Sequence, residues 1–178
     1  AAAGSGAAAA RAPVAVRPAR GYGRGRCGDG GVSVRVALTD VKVWLALVWE
    51  GPRRYADARA WFDAQPERVL AFCRVTQMGL LRLLTQPAVM GEDVLTQEGG
   101  WQVHDALMGD PRCVFQMEPS GLEQAWKARS SRKDAAHRRW TDDYLAALAG
   151  ESELELVTFD RDITMSPGGK RGGLSGGR

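Results

Sequence analysis

Apolar positions along this chain fall in short blocks, and the blocks alternate between strand-like and helix-like periods. Val34 to Leu38 is a β-branched and apolar run that Thr39-Asp40 ends, which predicts a strand. Val43 to Trp49 (VWLALVW) is apolar nearly all round and predicts a buried helical turn or two. After Glu50-Gly51-Pro52, the stretch Arg53 to Gln65 turns Tyr55, Ala58, Trp61 and Phe62 to one helical face, and Pro66 stops it. Val69 to Cys73 reads as a second strand, and Thr76 to Thr85 as a helix rich in leucine. Thr96 is placed to cap a helix carrying Trp101, Val103, Leu107 and Met108, which Asp110-Pro111 closes. Cys113 to Met117 predicts a third strand, and Ser120 a cap for a helix through Leu122, Ala125 and Trp126.

The last blocks are the most informative. Trp140, Tyr144, Leu145 and Leu148 recur at helical spacing. Thr141 is the expected N-cap, Asp142 and Asp143 favour the positive end of the helix dipole, and Gly150 is the expected stop. Leu154, Leu156, Val157 and Phe159 then make a β-prone run that ends in Asp160, with Asp162 two residues on. Strands thus alternate with segments long enough for a crossover. The pattern predicts an α/β fold whose parallel sheet is covered on both faces.

Charge is unevenly distributed along the chain. The chain has 178 residues and a formal charge of +3, which alone suggests a polyanion partner. Yet residues 1–33 carry five Arg against one Asp, and residues 163–178 carry three cations and no acid. The middle therefore holds four more acids than bases. The Ala/Gly/Arg-rich start (1–33) reads as a disordered tail and the Gly-rich end (163–178) as a flexible one, around a domain at 34–162. Arg11, Arg17 and Arg20 interrupt any apolar core that a secretory signal would need. No apolar run reaches the 18 residues of a membrane span. The three cysteines, Cys27, Cys73 and Cys113, lack close metal-ligand spacing. Cys73 and Cys113 sit in apolar strand-like runs and are expected as buried free thiols, which suits a reducing, cytoplasmic setting.

In a sheet of this kind ligands collect beyond the carboxyl ends of the strands. The strand ends at Asp40 and Asp160 and the helix starts at Thr76-Gln77 and Thr141-Asp142 can converge there. Three carboxylates in one cleft repel unless a hard cation sits among them, and Mg²⁺ or Mn²⁺ prefers such oxygen ligands. Arg129, Arg132, Lys133, Arg138 and Arg139, just ahead of Asp142, form the candidate basic patch for a polyanion backbone. His104 and His137 make no metal pair by spacing and read as surface or helix-end residues. Most of the six Trp fall at apolar helical positions and read as core.

Four blocks carry a resemblance: ALTDVKVWLAL at 37–47, CRVTQMGLLRLLTQPAVMG at 73–91, WTDDYLAALA at 140–149 and LVTFDRD at 156–162. Together they resemble a PIN domain of the VapC toxin type, over residues 36 to about 162. The resemblance implies an α/β/α sandwich with a central parallel sheet. It implies a Mg²⁺- or Mn²⁺-dependent endoribonuclease, held in check by a cognate antitoxin and often dimeric. Such proteins place acids at four points. Asp40 matches the first, Asp142 the third and Asp160 the fourth, as catalytic and metal-holding residues, with Asp162 as support. Arg82 matches an Arg that similar toxins keep, and with Arg138 and Arg139 it is assigned to RNA. Two positions depart from the pattern. Gln77 stands where Glu is usual and offers a carbonyl oxygen without charge. Lys42 stands where Asn is usual. These departures are what support the alternative, a degenerate PIN domain that binds RNA or antitoxin without cleaving. A receiver-like phospho-acceptor module is the α/β alternative outside the family.

Overall fold

The computed structural model describes residues 35–50, 55–159 and 171–173. Five strands, all parallel, form one sheet in the order β3-β2-β1-β4-β5. They are β1 (Arg35–Thr39), β2 (Arg68–Phe72), β3 (Cys113–Phe115), β4 (Glu155–Thr158) and β5 (Arg171–Gly173). Between β1 and β2 run α1 (Val41–Val48) and α2 (Tyr55–Asp63). Between β2 and β3 run α3 (Arg74–Leu84), the short α4 (Pro87–Met90) and α5 (Gln97–Met108), and α6 (Leu122–Ser130) and α7 (Trp140–Glu151) lead from β3 to β4.

Successive strand residues point to opposite faces, and here each face has its own core. Ala37, Leu70, Phe72 and Val157 pack with α1, α2, α3 and α5. Their neighbours Leu38, Ala71 and Leu156 pack with α6 and α7. The three layers follow from this alternation. Trp44 of α1 lies flat on Phe72 of β2, with ring centroids 3.6 Å apart and planes 6° from parallel. α1 meets α3 closely at Gly79, where a Cβ would lie 3.0 Å from Val41 Cγ2. The two described cysteines, Cys73 and Cys113, are free and buried. Burial pushes the Cys113 thiol up to about 12, so it stays protonated and unreactive in the folded chain.

Several boundaries differ from expectation. Thr96 does cap α5, its hydroxyl accepting from the Gly99 N–H at 3.1 Å. Thr76, expected at a helix start, instead sits in the first turn of α3 and closes a capping box on Cys73. Thr141 is not the cap of α7: the helix begins at Trp140 with Arg139 at the cap, because the turn ahead of it is already helical and Asp143 N donates to Arg139 O. Gly121 rather than Ser120 precedes α6. Gly150 lies inside α7, and the left-handed residue beyond the helix is Glu153, with φ of 54°. Within the stretch expected to be a Gly-rich tail, Arg171–Gly173 form a strand beside β4. The backbone groups on the open edge of β4 accept a partner strand whatever its side chains, which composition does not register. The remainder of both expected tails lies outside the described residues.

Candidate active site

The strand order places a topological switch between β1 and β4: the chain leaves β1 toward β2 on one side and returns through α6 and α7 to β4 on the other. Asp40 stands at that point. It directly follows β1 and takes the N-cap position of α1, yet its side chain makes no capping bond. Its backbone N–H donates to Val157 O of β4 at 3.0 Å, and its Oδ2 accepts from the Thr158 hydroxyl at 3.0 Å. Asp40 is 6% exposed and Thr158 3%. The carboxylate is therefore turned from the helix toward the carboxyl end of the neighbouring strand. The positive end of α1 favours its charge there. Thr158 carries little signal in the sequence, only a β-branched hydroxyl two residues before Asp160.

The start of α7 is brought to the same side. The buried Tyr144 hydroxyl donates to Glu118 Oε1 at 2.7 Å, beyond β3. It also bonds Cys73, the residue directly after β2; burial and these two partners push the phenol up. Two acids open the helix, and they differ in use. Asp143 is buried and takes the Arg132 guanidinium on both oxygens, with Nη2 to Oδ1 at 2.8 Å and Nη1 on Oδ2. Asp142, half-buried, is the acid that the motif assigns to the site. Asp160 and Asp162 lie outside the described residues.

Gln77 is buried among neutral and cationic partners. Its Oε1 accepts from Arg74 Nη1, and its Nε2 lies 2.8 Å from His104 Nε2. His104 is thus neither the surface nor the helix-end residue expected: it lies inside α5 and is 7% exposed. It packs near Phe72 and Trp101, with Nδ1 3.3 Å from Asp105 Oδ1. With the Gln77 amide donating, His104 Nε2 accepts and Nδ1 carries the proton. Replacing His104 with Ala strands a buried amide, so it should cost about 1–3 kcal/mol. A urea midpoint indistinguishable from the parent's would contradict that reading of the bond.

Arg82 is exposed in the last turn of α3 and makes no ion pair with a described residue. Lys42 is exposed on the first turn of α1. Arg138 and Arg139 are exposed ahead of α7, at the helix end where the dipole disfavours cations. At the amino ends of the strands two arginines are paired. Arg68, which opens β2, meets Glu155 of β4 at 2.7 Å, and Arg112 pairs with Asp110 and lies over the Phe62 ring. Among the described residues, no three His, Cys, Asp or Glu side chains gather as a metal site. None of the described helices is long and apolar enough to cross a membrane.

The chain is similar to known proteins. The PIN domain family model matches residues 37–165. Ribonuclease VapC41 of Mycobacterium tuberculosis (strain ATCC 25618 / H37Rv) is 40% identical over 136 residues, covering 74% of this chain and 93% of the relative. Ribonuclease VapC44 of the same strain is 30% identical over 137 residues, covering 73% and 89%. The crystal structure of Mycobacterium tuberculosis VapC20, described as a sarcin–ricin-loop-cleaving toxin, superposes with a TM-score of 0.53 at 17% identity, over 72% of this chain and 92% of that one. The fold built around Asp40 and the length over which these relatives align make this chain a member of the PIN-domain family, of the VapC type.

Proposed function

We propose that the protein is a metal-dependent endoribonuclease, the toxin of a toxin–antitoxin pair, which hydrolyses RNA phosphodiesters. The observation that carries the reading is the placement of Asp40: a buried carboxylate at the switch point between β1 and β4, oriented by Thr158. Carboxylates on the carboxyl side of a parallel sheet are hard oxygen donors, which fits Mg²⁺ or Mn²⁺ and no soft metal. Asp40 and Asp142, with Asp160, are the residues that would hold the ion. Once bound, it neutralises charge on the phosphate and acidifies a water.

The chain's own groups do the rest. The Thr158 hydroxyl fixes the rotation of the Asp40 carboxylate. The acids align the attacking water and accept its proton. Arg138 and Arg139 hold the RNA backbone at an end of α7 where they do not help the helix. Gln77 does not add a charge to the cleft, and its carbonyl is taken by Arg74. An antitoxin inhibits by setting an Arg or Lys among the acids, displacing cation and RNA together.

Incubating the full chain with a labelled single-stranded RNA and Mn²⁺ should give cleavage that a chelator stops. Cleavage that continues after metal depletion would refute the metal-dependent reading. The arrangement of Gln77 favours a second reading, RNA or antitoxin binding without turnover. Binding with no cleavage in either Mg²⁺ or Mn²⁺ would select it.

A further inference from the structure

Trp140 and Trp101 are the two exposed tryptophans among the described residues, and Trp140 is the more exposed. It is 55% exposed although it opens a helix whose residues from Asp143 to Ala149 are all buried. Its ring meets Trp126 edge-on, with centroids 6.0 Å apart and planes at 79°, and its carbonyl accepts from Trp126 Nε1. The ring is therefore held in place while one surface stays open. In front of it lies a hollow of about 170 Å³, lined also by Ser130, Arg132, Asp134, His137 and Asp143. The hollow opens on the first turn of α7, the turn that also carries Asp142.

Charge decides what enters. The Arg132 guanidinium is engaged by Asp143 on both oxygens, and Asp134 acts on it as well. Asp134 and Asp143 against the single guanidinium of Arg132 leave the lining with more acid than base, which disfavours a phosphate. Lys133, Arg138 and Arg139 are exposed on the connection between α6 and α7 that forms this wall, and they suit phosphates outside the hollow. A flat group with hydrogen-bond donors on its edge is what the inside accepts: an aromatic face to stack on, a guanidinium as second wall, and a carboxylate at the rim to take an amino hydrogen. RNA is read in this way, by stacking of splayed bases on aromatic and Arg surfaces.

We propose that this hollow binds one unpaired, amino-bearing base of the RNA next to the scissile phosphate, with Trp140 as the stacking platform and Asp134 as the acceptor. The proposal rests on the ribonuclease reading and deepens it into base preference. The test uses the full chain carrying Asp40→Asn, so that RNA survives. Its binding is measured to labelled single-stranded oligouridylates that differ only in a central U, C, A or G. Tighter binding of an amino-bearing oligomer than of the all-U one is expected. Trp140→Leu should weaken that binding roughly tenfold, as expected for one lost base stack, and Trp140→Phe should retain most of it. Asp134→Asn should reduce the discrimination against U. Equal binding of all four oligomers by the parent, or parent-like binding by a folded Trp140→Leu chain, overturns the pocket. If no oligomer binds and none is cleaved by the unmutated chain, the ribonuclease reading itself fails. Cleavage by the unmutated chain, with position and affinity unmoved by Trp140→Leu, removes only the pocket.

Discussion

Asp40→Asn should lower RNA cleavage by roughly a hundredfold or more, the scale on which a lost proton acceptor or metal-held water is felt. The substitution isolates charge from shape. Asn keeps the volume, and its carbonyl oxygen can still accept from the Thr158 hydroxyl that now reaches Asp40 Oδ2. What disappears is the negative charge at the switch between β1 and β4. The fold should survive, since the backbone bonds of Asp40 to Val157, Val43 and Trp44 do not involve the side chain. A thermal melt near that of the parent, together with lost turnover, is the expected pair of results. Unchanged turnover would remove Asp40 from the reaction.

Trp44→Ala should destabilise the chain by about 3–5 kcal/mol, the range for deleting a large buried aromatic. That is a large part of the roughly 5–15 kcal/mol that holds a domain folded, so the urea midpoint should fall steeply. The residue is fully buried and its ring is stacked on Phe72, joining α1 to β2 at the centre of one core. Its indole N–H finds no partner among the described residues. Trp44→Phe removes that desolvated donor along with part of the ring, so it should recover much of the loss. Equal midpoints for the Ala variant and the parent would contradict the placement of Trp44 in the core.

Trp44 and Trp140 also mark how far a linear reading reaches. Both sit at helical positions among apolar residues, and periodicity assigns both to the core. Only Trp44 is there: it is fully buried against Phe72, whereas Trp140, ahead of the buried run Asp143–Ala149, meets Trp126 edge-on and stays 55% exposed. Gln77 and His104 show the same limit for polar groups. They lie 27 residues apart, and a bond between them exists only once α3 and α5 pack together.

The alternation of β-branched runs with amphipathic segments sufficed for the parallel sheet, its two covered faces and the positions of Asp40, Asp142 and Gln77 on their elements. Those features follow from local period and from the few residues that start or stop an element, which any stretch carries within itself. The tertiary structure alone decided that β4 lies beside β1, so that Thr158 orients Asp40 across 118 residues. It also decided that β5 joins a Gly-rich segment to the sheet, and that Asp143 is committed to Arg132. Each of these is a pairing between groups distant in the chain, set by which strand and helix become neighbours when both apolar faces are buried together.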